Sequence, residues 1–328
     1  MKAVQILGDR GDHRIALSEH LPRPKPSDHE VLVRIEAAGV TADETSWVEV
    51  YKTPSRIPGH DISGFIVQLP MHYAGPIAVG TPVFAMLHAD RGQGMADYAT
   101  VRFEEMTPKP RSLTHAQAAA MPIPAVTAWE ALHQHARLGR GRRVLVTGAS
   151  GAVGRMIVQL ARVLFDAEVV ALASVRNHAL LRDLGAAEVV DYNTPGWEGL
   201  VKDVDAVFDT AGGEVLTKSW QTVKGDAVIV TVADPPPPWA FGGQVPEELK
   251  DHPGVRYVYF VLSPDAEALR KVAGLIDEGK VQALPVVEFP VDSAVEAWEF
   301  AATRSRGGKV VITFGDGAEN YIPTRRGF

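Results

Sequence analysis

The stretch that decides the fold is Val144-Leu145-Val146-Thr147-Gly148-Ala149-Ser150-Gly151-Ala152-Val153-Gly154. Its first four residues predict a short strand, and its three glycines predict a turn that a ligand can approach closely. A helix is expected next, because apolar residues recur on one stripe at Val153, Ile157, Leu160 and Leu164. A strand, a glycine-rich turn and a helix in this order bind a dinucleotide diphosphate at the helix N-terminus. The alternative is a tight turn without a ligand.

The segments that follow this turn repeat the same pattern. From about residue 116, helical stretches alternate with short β-branched strands at the spacing of strand–helix–strand units. The strands that we predict are Val144–Thr147, Glu168–Ala173, Glu188–Asp191, Asp205–Asp209, Ala227–Val232 and Val255–Leu262. They indicate an α/β fold with a doubly wound parallel sheet. The strands Val286–Phe289 and Lys309–Phe314, with a helix at Val295–Ala302 between them, are expected to return to the first domain.

The first part of the chain has a different pattern of apolar and turn-forming residues. Short apolar runs at Glu30–Val40, Phe65–Leu69 and Val83–Leu87 are separated by glycine and proline, which predicts a compact, irregular β domain. Because the chain has 328 residues, two domains are expected.

The composition excludes several classes of function. The net charge is -7 and no long run of one sign occurs, so neither nucleic acid nor an anionic membrane is an expected partner. The chain has no cysteine, which excludes disulfides, a thiolate nucleophile and every metal site that needs sulfur ligands. The N-terminal apolar stretch is too short for a secretion signal. We therefore expect a cytoplasmic protein without membrane spans.

The residues after the second strand of this pattern indicate which dinucleotide binds. A site that prefers NAD places a carboxylate on the ribose hydroxyls about 20 residues beyond the glycines. Here that position falls at Ser174, with Arg176 close behind it. An arginine suits an adenosine 2′-phosphate, so NADPH is the expected cofactor. The alternative for Arg176 is a solvated charge at a helix start.

Several motifs together resemble one enzyme family. In chain order they are Glu36-Ala37-Ala38-Gly39-Val40, Ile57-Pro58-Gly59-His60-Asp61-Ile62-Ser63-Gly64, Ala125-Val126-Thr127-Ala128-Trp129, the glycine turn, Leu184-Gly185-Ala186, Val189-Val190-Asp191-Tyr192, Phe208-Asp209-Thr210-Ala211-Gly212-Gly213 and Gly307-Gly308-Lys309-Val310. The sequence resembles the medium-chain dehydrogenase/reductases, and among them the zinc-independent quinone oxidoreductase and enoyl reductase branch.

This resemblance implies a domain arrangement and a cofactor site. It implies a GroES-like domain from residues 1–123 and 263–328, a Rossmann domain from residues 124–262, and ligands in the cleft between them. The glycine turn and the resemblance together assign to the cofactor Thr127, Gly148, Ser150, Gly151, Ala152, Val153, Gly154, Ser174, Arg176, Tyr192, Ala211, Thr231, Val232, Phe260, Val261 and Lys309. Lys309 is expected to approach the diphosphate at Ser150–Val153. For Tyr192 and Phe260 the alternative is packing at a strand end.

The zinc ligands of related dehydrogenases are not all present. Thr41 stands where a first cysteine ligand is expected from the resemblance, and His60 is followed by Asp61. One imidazole and one carboxylate do not make the three-ligand site of a catalytic zinc, so we expect no metal and a hydrogen-bonded role for His60. Without a Lewis acid, hydride transfer to a conjugated carbonyl or a quinone is favoured, because the developing charge spreads over the conjugated system.

Catalytic and substrate residues are weakly marked. Tyr51 is a candidate to protonate the product, and Thr41 lies nearby in the sequence; surface or packing roles and protonation by water are alternatives. Trp47, Trp239 and Phe241 are the candidate substrate contacts. Trp239 follows four prolines, Pro235–Pro238, which form either a rigid wall of the site or a surface connector.

The sequence therefore predicts an NADPH-dependent, zinc-independent reductase of an enone, an enal or a quinone. One alternative is a tailoring enoyl reductase of a polyketide-like pathway. Another is a non-catalytic NADPH-binding structural or regulatory protein. The resemblance also implies a homodimer that pairs through Val255–Leu262.

Overall fold

A computed structural model describes residues 1–303 and 307–315. The strands are β1 (Ala3–Asp9), β2 (Asp12–Ser18), β3 (Glu30–Gly39), β4 (Asp61–Gln68), β5 (Pro82–Met86), β6 (Tyr98–Arg102), β7 (Met106–Pro108), β8 (Arg143–Val146), β9 (Glu168–Leu172), β10 (Glu188–Val190), β11 (Val204–Asp209), β12 (Val223–Thr231), β13 (Arg256–Tyr259), β14 (Val286–Pro290) and β15 (Lys309–Thr313).

The helices are α1 (Val48–Lys52), α2 (His115–Ala119), α3 (Pro122–Glu130), α4 (Ala152–Phe165), α5 (His178–Asp183), α6 (Trp197–Leu200), α7 (Gly213–Ser219), α8 (Ala266–Asp277) and α9 (Ala294–Ala302). None of these helices combines the length and the apolar character that a membrane crossing requires.

The chain divides into two units. Unit 1 contains residues 1–123, 263–278 and the described residues from Ala283 onward. Unit 2 contains residues 124–262 and 279–282. Each unit has its own sheet and its own buried apolar core.

Unit 2 is built around a parallel sheet in the order β10-β9-β8-β11-β12-β13. All five neighbouring pairs of strands run parallel. The strands are short and rich in β-branched residues, and Leu145, Val170 and Ile229 are fully buried. A parallel sheet with helices in most of the connections between consecutive strands, here from β8 to β12, is the doubly wound arrangement, so the fold class predicted from the sequence is confirmed.

Helix α4 follows directly from its apolar stripe. Met156, Ile157 and Leu160 are fully or almost fully buried, as expected for a helix that covers a sheet with one face. The helix ends at Phe165, and its C-cap residue Asp166 takes a left-handed conformation (φ 51°, ψ 32°) and donates its N–H to the carbonyl groups of Ala161 and Arg162.

Unit 1 holds a largely antiparallel sheet in the order β14-β15-β3-β4-β5-β7, with β6 paired to β3. Strands β14 and β15 come from the end of the chain, and β15 pairs with β3 near its start. Strands β1 and β2 form a separate hairpin.

In the unit 2 sheet, two strands differ from their predicted bounds by more than one residue. Strand β13 is shorter than the predicted Val255–Leu262, because only Arg256–Tyr259 pair with β12. Strand β12 begins earlier, at Val223, because that residue pairs with Val204 across a bulge in the register.

Candidate active site

The carboxyl ends of β8 to β13 lie at one edge of the unit 2 sheet, because all six strands run parallel. We call it the carboxyl edge. Predicted cofactor residues follow these strands within two residues: Gly148, Ser174, Tyr192, Ala211, Val232 and Phe260. The strand order reverses at β8, which lies between β9 and β11, and ligands of open α/β sheets bind at such a reversal.

The glycine turn is held close to helix α4. Gly148 has a φ of 58°, in the left-handed region that favours glycine. A Cβ atom on Gly154 would lie 2.5 Å from the carbonyl oxygen of Gly148, so any side chain there would force the helix away from the turn. Gly151 is the N-cap of α4 and forms no side-chain cap hydrogen bond. The N–H groups of the first turn of α4 are therefore available in the way that anion binding requires.

Arg155 adds positive charge to the same turn. Its Nε donates a hydrogen bond to the carbonyl oxygen of Ser150 at 2.8 Å, and its side chain is half-buried. Burial lowers the pKa of Arg155, because water no longer fully solvates the charged form. The guanidinium and the positive end of the α4 dipole lie at the same place, so the turn fits a diphosphate.

The residues assigned to the 2′-phosphate follow β9 and β10. Ser174 accepts a hydrogen bond from Asn177 Nδ2 at 3.1 Å, and Arg176 is exposed in the short helical turn after it. Tyr192 is 48% exposed after β10. The neighbouring carboxylate of Asp191 accepts hydrogen bonds from the backbone N–H and the Nδ2 of Asn193.

Three residues assigned to the nicotinamide end surround Asp209, which is 1% exposed. The Thr231 hydroxyl donates to the Asp209 carboxylate at 2.6 Å, and the Ala211 N–H donates to it at 3.2 Å. The Val232 N–H donates to the Asp209 carbonyl oxygen at 3.0 Å. The fold therefore brings Ala211, Thr231 and Val232 together at the ends of β11 and β12.

The other residues assigned to this end are Phe260, Val261 and Thr127. Phe260 is 8% exposed, and its ring centroid lies 4.2 Å from that of His135. Val261 is 58% exposed, and Thr127 is buried in α3.

The remaining predicted cofactor residue, Lys309, belongs to unit 1. It begins β15, and its ammonium group donates a hydrogen bond to the carboxylate of Asp61. Its side chain is 9% exposed. Within unit 1, Lys309 therefore has a buried acidic partner.

The catalytic candidates lie in the segment that contains α1. The Tyr51 hydroxyl donates to the carbonyl oxygen of Thr45 at 2.8 Å. Burial raises the pKa of Tyr51 and outweighs the nearby positive charge of Arg56, so the phenol stays protonated. Thr41 is half-buried at the start of the helical turn Ala42–Ser46.

His60 and Glu44 form a buried pair beside Trp47. His60 Nδ1 lies 2.9 Å from Glu44 Oε1, and His60 Nε2 lies 3.4 Å from the carbonyl oxygen of Ala89. Burial by itself lowers the pKa of His60, but Glu44 and the Ala89 carbonyl outweigh burial, and the pKa is raised. An oxygen atom lies near each ring nitrogen, and the negative charge of Glu44 favours the charged form of the imidazole.

The aromatic residues assigned to the substrate lie in both units. Trp47 in unit 1 donates its indole N–H to Asp43 at 2.9 Å. In unit 2, Trp239 packs edge-on against Tyr257, and Phe241 packs edge-on against Tyr259. Phe241 is 78% exposed.

Comparison with known proteins identifies the family. A model of the alcohol dehydrogenase GroES-like domain matches residues 27–111, and a model of a zinc-binding dehydrogenase matches residues 184–312. The chain is 31% identical over 308 residues to "Probable zinc-binding oxidoreductase, mitochondrial" of Arthroderma benhamiae, which covers 89% of this chain and 90% of that protein. This chain belongs to the medium-chain dehydrogenase/reductase superfamily.

Two further relatives of this chain indicate the type of reaction that related proteins catalyse. The 2-methylene-furan-3-one reductase of Solanum lycopersicum is 30% identical, over 91% of this chain and 75% of the relative. The structure of the quinone oxidoreductase from Coxiella burnetii matches with a TM-score of 0.82 at 25% identity, over 96% of this chain and 99% of that one. The chain is therefore an oxidoreductase of the medium-chain dehydrogenase/reductase superfamily.

The described residues of this dehydrogenase/reductase do not assemble a metal site. Within residues 1–303 and 307–315, no three potential ligands among His, Asp and Glu converge. His133 and His135 have separate partners, since His133 Nδ1 lies 3.1 Å from the Trp129 carbonyl oxygen and His135 Nε2 lies 3.0 Å from Glu130. The buried His60–Glu44 pair supplies two groups where a zinc needs at least three protein ligands.

Two residues near these sites were not assigned a role from the sequence. They are Asp209 and Arg155. One signal in the sequence is a carboxylate at the end of an apolar strand, as Asp209 is the last residue of β11. An arginine directly after the last glycine of the turn, as Arg155 is, is a second such signal.

Proposed function

We propose that this protein is an NADPH-dependent reductase that transfers a hydride to a conjugated carbonyl compound or a quinone. The observation that carries the proposal is the carboxyl edge of the unit 2 sheet, where a glycine turn, a helix N-terminus and Arg155 meet at the strand-order reversal. A bound nicotinamide dinucleotide supplies a hydride. The names of the tomato and Coxiella burnetii relatives, a furanone reductase and a quinone oxidoreductase, support the choice of acceptor.

The choice of NADPH rests on the residues after β9. Ser174 occupies the position where a carboxylate would bind the ribose hydroxyls of NADH, and exposed Arg176 follows it. A guanidinium forms strong charge-assisted hydrogen bonds with a phosphate. The carboxylate of Asp191 accepts two hydrogen bonds from Asn193. These observations favour a 2′-phosphate at this position.

The choice of a conjugated acceptor rests on the chemistry of the side chains. Reduction of a simple ketone produces a localised alkoxide, which zinc stabilises in related dehydrogenases. This chain has no cysteine to complete such a site. In a conjugated acceptor the charge is delocalised, and a few hydrogen bonds from hydroxyl or N–H groups are sufficient. Thr41 and Tyr51 are our candidates for these bonds and for the proton.

One experiment tests the proposal. The purified protein is mixed with NADPH or NADH and a panel of acceptors: simple quinones, enones, enals, enoyl thioesters and unconjugated ketones. Loss of absorbance of the reduced nicotinamide is expected with conjugated acceptors and NADPH, and not with unconjugated ketones. A preference for long enoyl thioesters would favour the tailoring enoyl reductase. Tight NADPH binding without turnover of any acceptor would favour a non-catalytic binding protein.

We also propose that the protein is a cytoplasmic homodimer. Strand β13 is an edge strand of the unit 2 sheet, so its outer backbone groups can pair with a second copy. Phe241, Val245 and Val261 are large apolar residues exposed close to it in the sequence. Light scattering on the purified protein is expected to give twice the chain mass. A Val258→Pro variant, which removes one N–H from this strand, tests whether β13 forms the interface.

A further inference from the structure

Strand β11 carries a carboxylate at each end, and each carboxylate holds the same two neighbouring strands. Near its start, Asp205 accepts a hydrogen bond from the Arg143 N–H of β8 at 2.9 Å and another from Lys224 of β12 at 2.8 Å. At its end, Asp209 accepts hydrogen bonds from the hydroxyls of Thr147, directly after β8, and of Thr231, in β12. The two residues are separated by about 13 Å along the strand.

The two ends of β11 differ in what surrounds them. Asp205 lies at the amino edge of the sheet, away from the glycine turn, and is half-buried. Asp209 lies at the carboxyl edge and is 1% exposed. Its carboxylate also accepts hydrogen bonds from the N–H groups of Ala211 and Gly212 at 3.2 Å. We call Asp209 and its four donors, Thr147, Thr231, Ala211 and Gly212, the Asp209 network.

The Asp209 network continues into the glycine turn. The Thr147 hydroxyl, which donates to Asp209, accepts a hydrogen bond from the Thr210 N–H at 3.2 Å. The Thr210 hydroxyl donates to the Thr147 carbonyl oxygen at 3.0 Å. Gly148 comes next in the chain, and a Cβ atom on it would lie 2.3 Å from the Thr210 hydroxyl oxygen. The loop after β11 and the first residue of the turn are therefore in direct contact.

The contact between the loop after β11 and the glycine turn lies where a ligand is expected to bind. Strands β8 and β11 flank the reversal of strand order, and the Thr147–Asp209 hydrogen bond crosses from one to the other. The turn that begins at Gly148 presents its N–H groups at this reversal. A shift of Thr147 moves the turn, and a diphosphate requires several N–H groups at fixed positions.

We propose that Asp209 is a positioning residue for the dinucleotide, which holds the glycine turn in its binding conformation through Thr147 and Thr210. This inference rests on the proposed function in one respect, the binding of a nicotinamide dinucleotide at the glycine turn. Asp209 does not touch the cofactor in this role. Its carboxylate oxygens accept hydrogen bonds from four donors.

The test compares Asp209→Asn with Asp205→Asn. Each variant replaces one carboxylate oxygen by an amide group on the same strand, and both are expected to lower the Tm of the protein without ligand. Calorimetric titration of the full chain then gives the Kd for NADPH and for NADH. Asp209→Asn is expected to raise both values at least about ten-fold, which corresponds to about 1.4 kcal/mol. Asp205→Asn is expected to leave both within about two-fold.

A second pair of variants covers the case in which Asp209→Asn does not fold. Thr147→Val removes the hydroxyl at nearly constant volume, and Thr147→Ser retains it. Thr147→Val is expected to weaken the binding of both dinucleotides. Thr147→Ser, which keeps the hydroxyl, is expected to bind both as tightly as wild type. A merely structural role predicts equal losses of affinity for Asp205→Asn and Asp209→Asn at equal loss of Tm, and that result would overturn the inference.

The same titrations separate this inference from the proposed function. If the wild-type protein binds NADPH and reduces no acceptor, the proposed activity fails, and the comparison of Kd values still decides the role of Asp209. If the wild-type protein binds and reduces normally and Asp209→Asn binds as tightly as wild type, only the inference fails. A wild-type protein that binds neither dinucleotide would overturn both.

Discussion

Lys309 donates a hydrogen bond from its ammonium group to the carboxylate of Asp61, across 248 positions of the chain. The Lys309 side chain is 9% exposed and that of Asp61 is fully buried. The other oxygen of Asp61 accepts the Ile123 N–H at 2.7 Å. This ion pair joins β15, from the end of the chain, to the first residue of β4, although β3 lies between the two strands.

Removal of one partner of this pair is expected to destabilise the protein strongly. Lys309→Met leaves the buried Asp61 carboxylate without its cation, and such a change costs about 3 kcal/mol or more. Lys309→Met with Asp61→Asn is expected to recover at least half of the loss, because no buried charge remains and the Ile123 N–H keeps its acceptor. Urea denaturation measures both values, and Lys52→Met, at an exposed lysine of unit 1, is the control. A Lys309→Met variant as stable as the control would contradict this role for Lys309.

Tyr51→Phe separates a structural from a catalytic role of the phenol. The hydroxyl donates to the Thr45 carbonyl oxygen, so its removal is expected to cost about 1 kcal/mol of stability. If Tyr51 is the proton donor, kcat with a conjugated acceptor is expected to fall by about 10²-fold or more, because a general acid is lost. A fall of less than about ten-fold, with the same small loss of stability, would contradict that role and leave the hydroxyl with its structural hydrogen bond to Thr45.

The sequence predicts local features of this protein better than contacts between distant segments. The glycine turn and α4 follow from residues within about a dozen positions of each other, and the predicted strand and helix lie where expected. The Asp209 network joins residues 62 and 22 positions apart. No periodicity within one segment indicates that a threonine at the end of β8 and another in β12 share one carboxylate. The role expected for Lys309 came from a family motif, and its partner Asp61 could be identified only from the fold.

Because of His115, we expect the folded protein to lose stability at mildly acidic pH. Its Nδ1 lies 2.8 Å from the Ser63 hydroxyl oxygen, and that hydroxyl donates to the Val83 carbonyl oxygen. The neutral ring with its proton on Nδ1 fits this arrangement. Burial, together with the positive charges of Lys109 and Arg34, lowers the pKa of His115 to about 4.

The sign of the pH effect follows from this lowered pKa. Between about pH 6.5 and pH 4 the unfolded chain binds a proton at His115 and the folded chain does not. Stability is therefore expected to fall as the pH decreases through this range, by on the order of 2 kcal/mol after allowance for partial exposure. Urea denaturation at several pH values measures the slope. His115→Gln is expected to flatten it, and His72→Gln, at an exposed histidine of unit 1, is the matched control. Equal slopes for wild type and His115→Gln would refute the assignment.

Arg176 is expected to discriminate between the two dinucleotides. If its guanidinium binds the 2′-phosphate, Arg176→Ala removes charge-assisted hydrogen bonds worth about 1.5–3 kcal/mol, and the Kd for NADPH rises roughly ten-fold to a hundred-fold. The Kd for NADH is expected to stay within about two-fold, because NADH lacks that phosphate. Arg182→Ala, at an exposed arginine of α5, is the matched control and is expected to change neither value. Equal weakening of NADPH and NADH by Arg176→Ala would show that the side chain stabilises the turn after β9 and does not select the cofactor. This pattern also differs from that of Asp209→Asn, which is expected to weaken both dinucleotides through their common diphosphate.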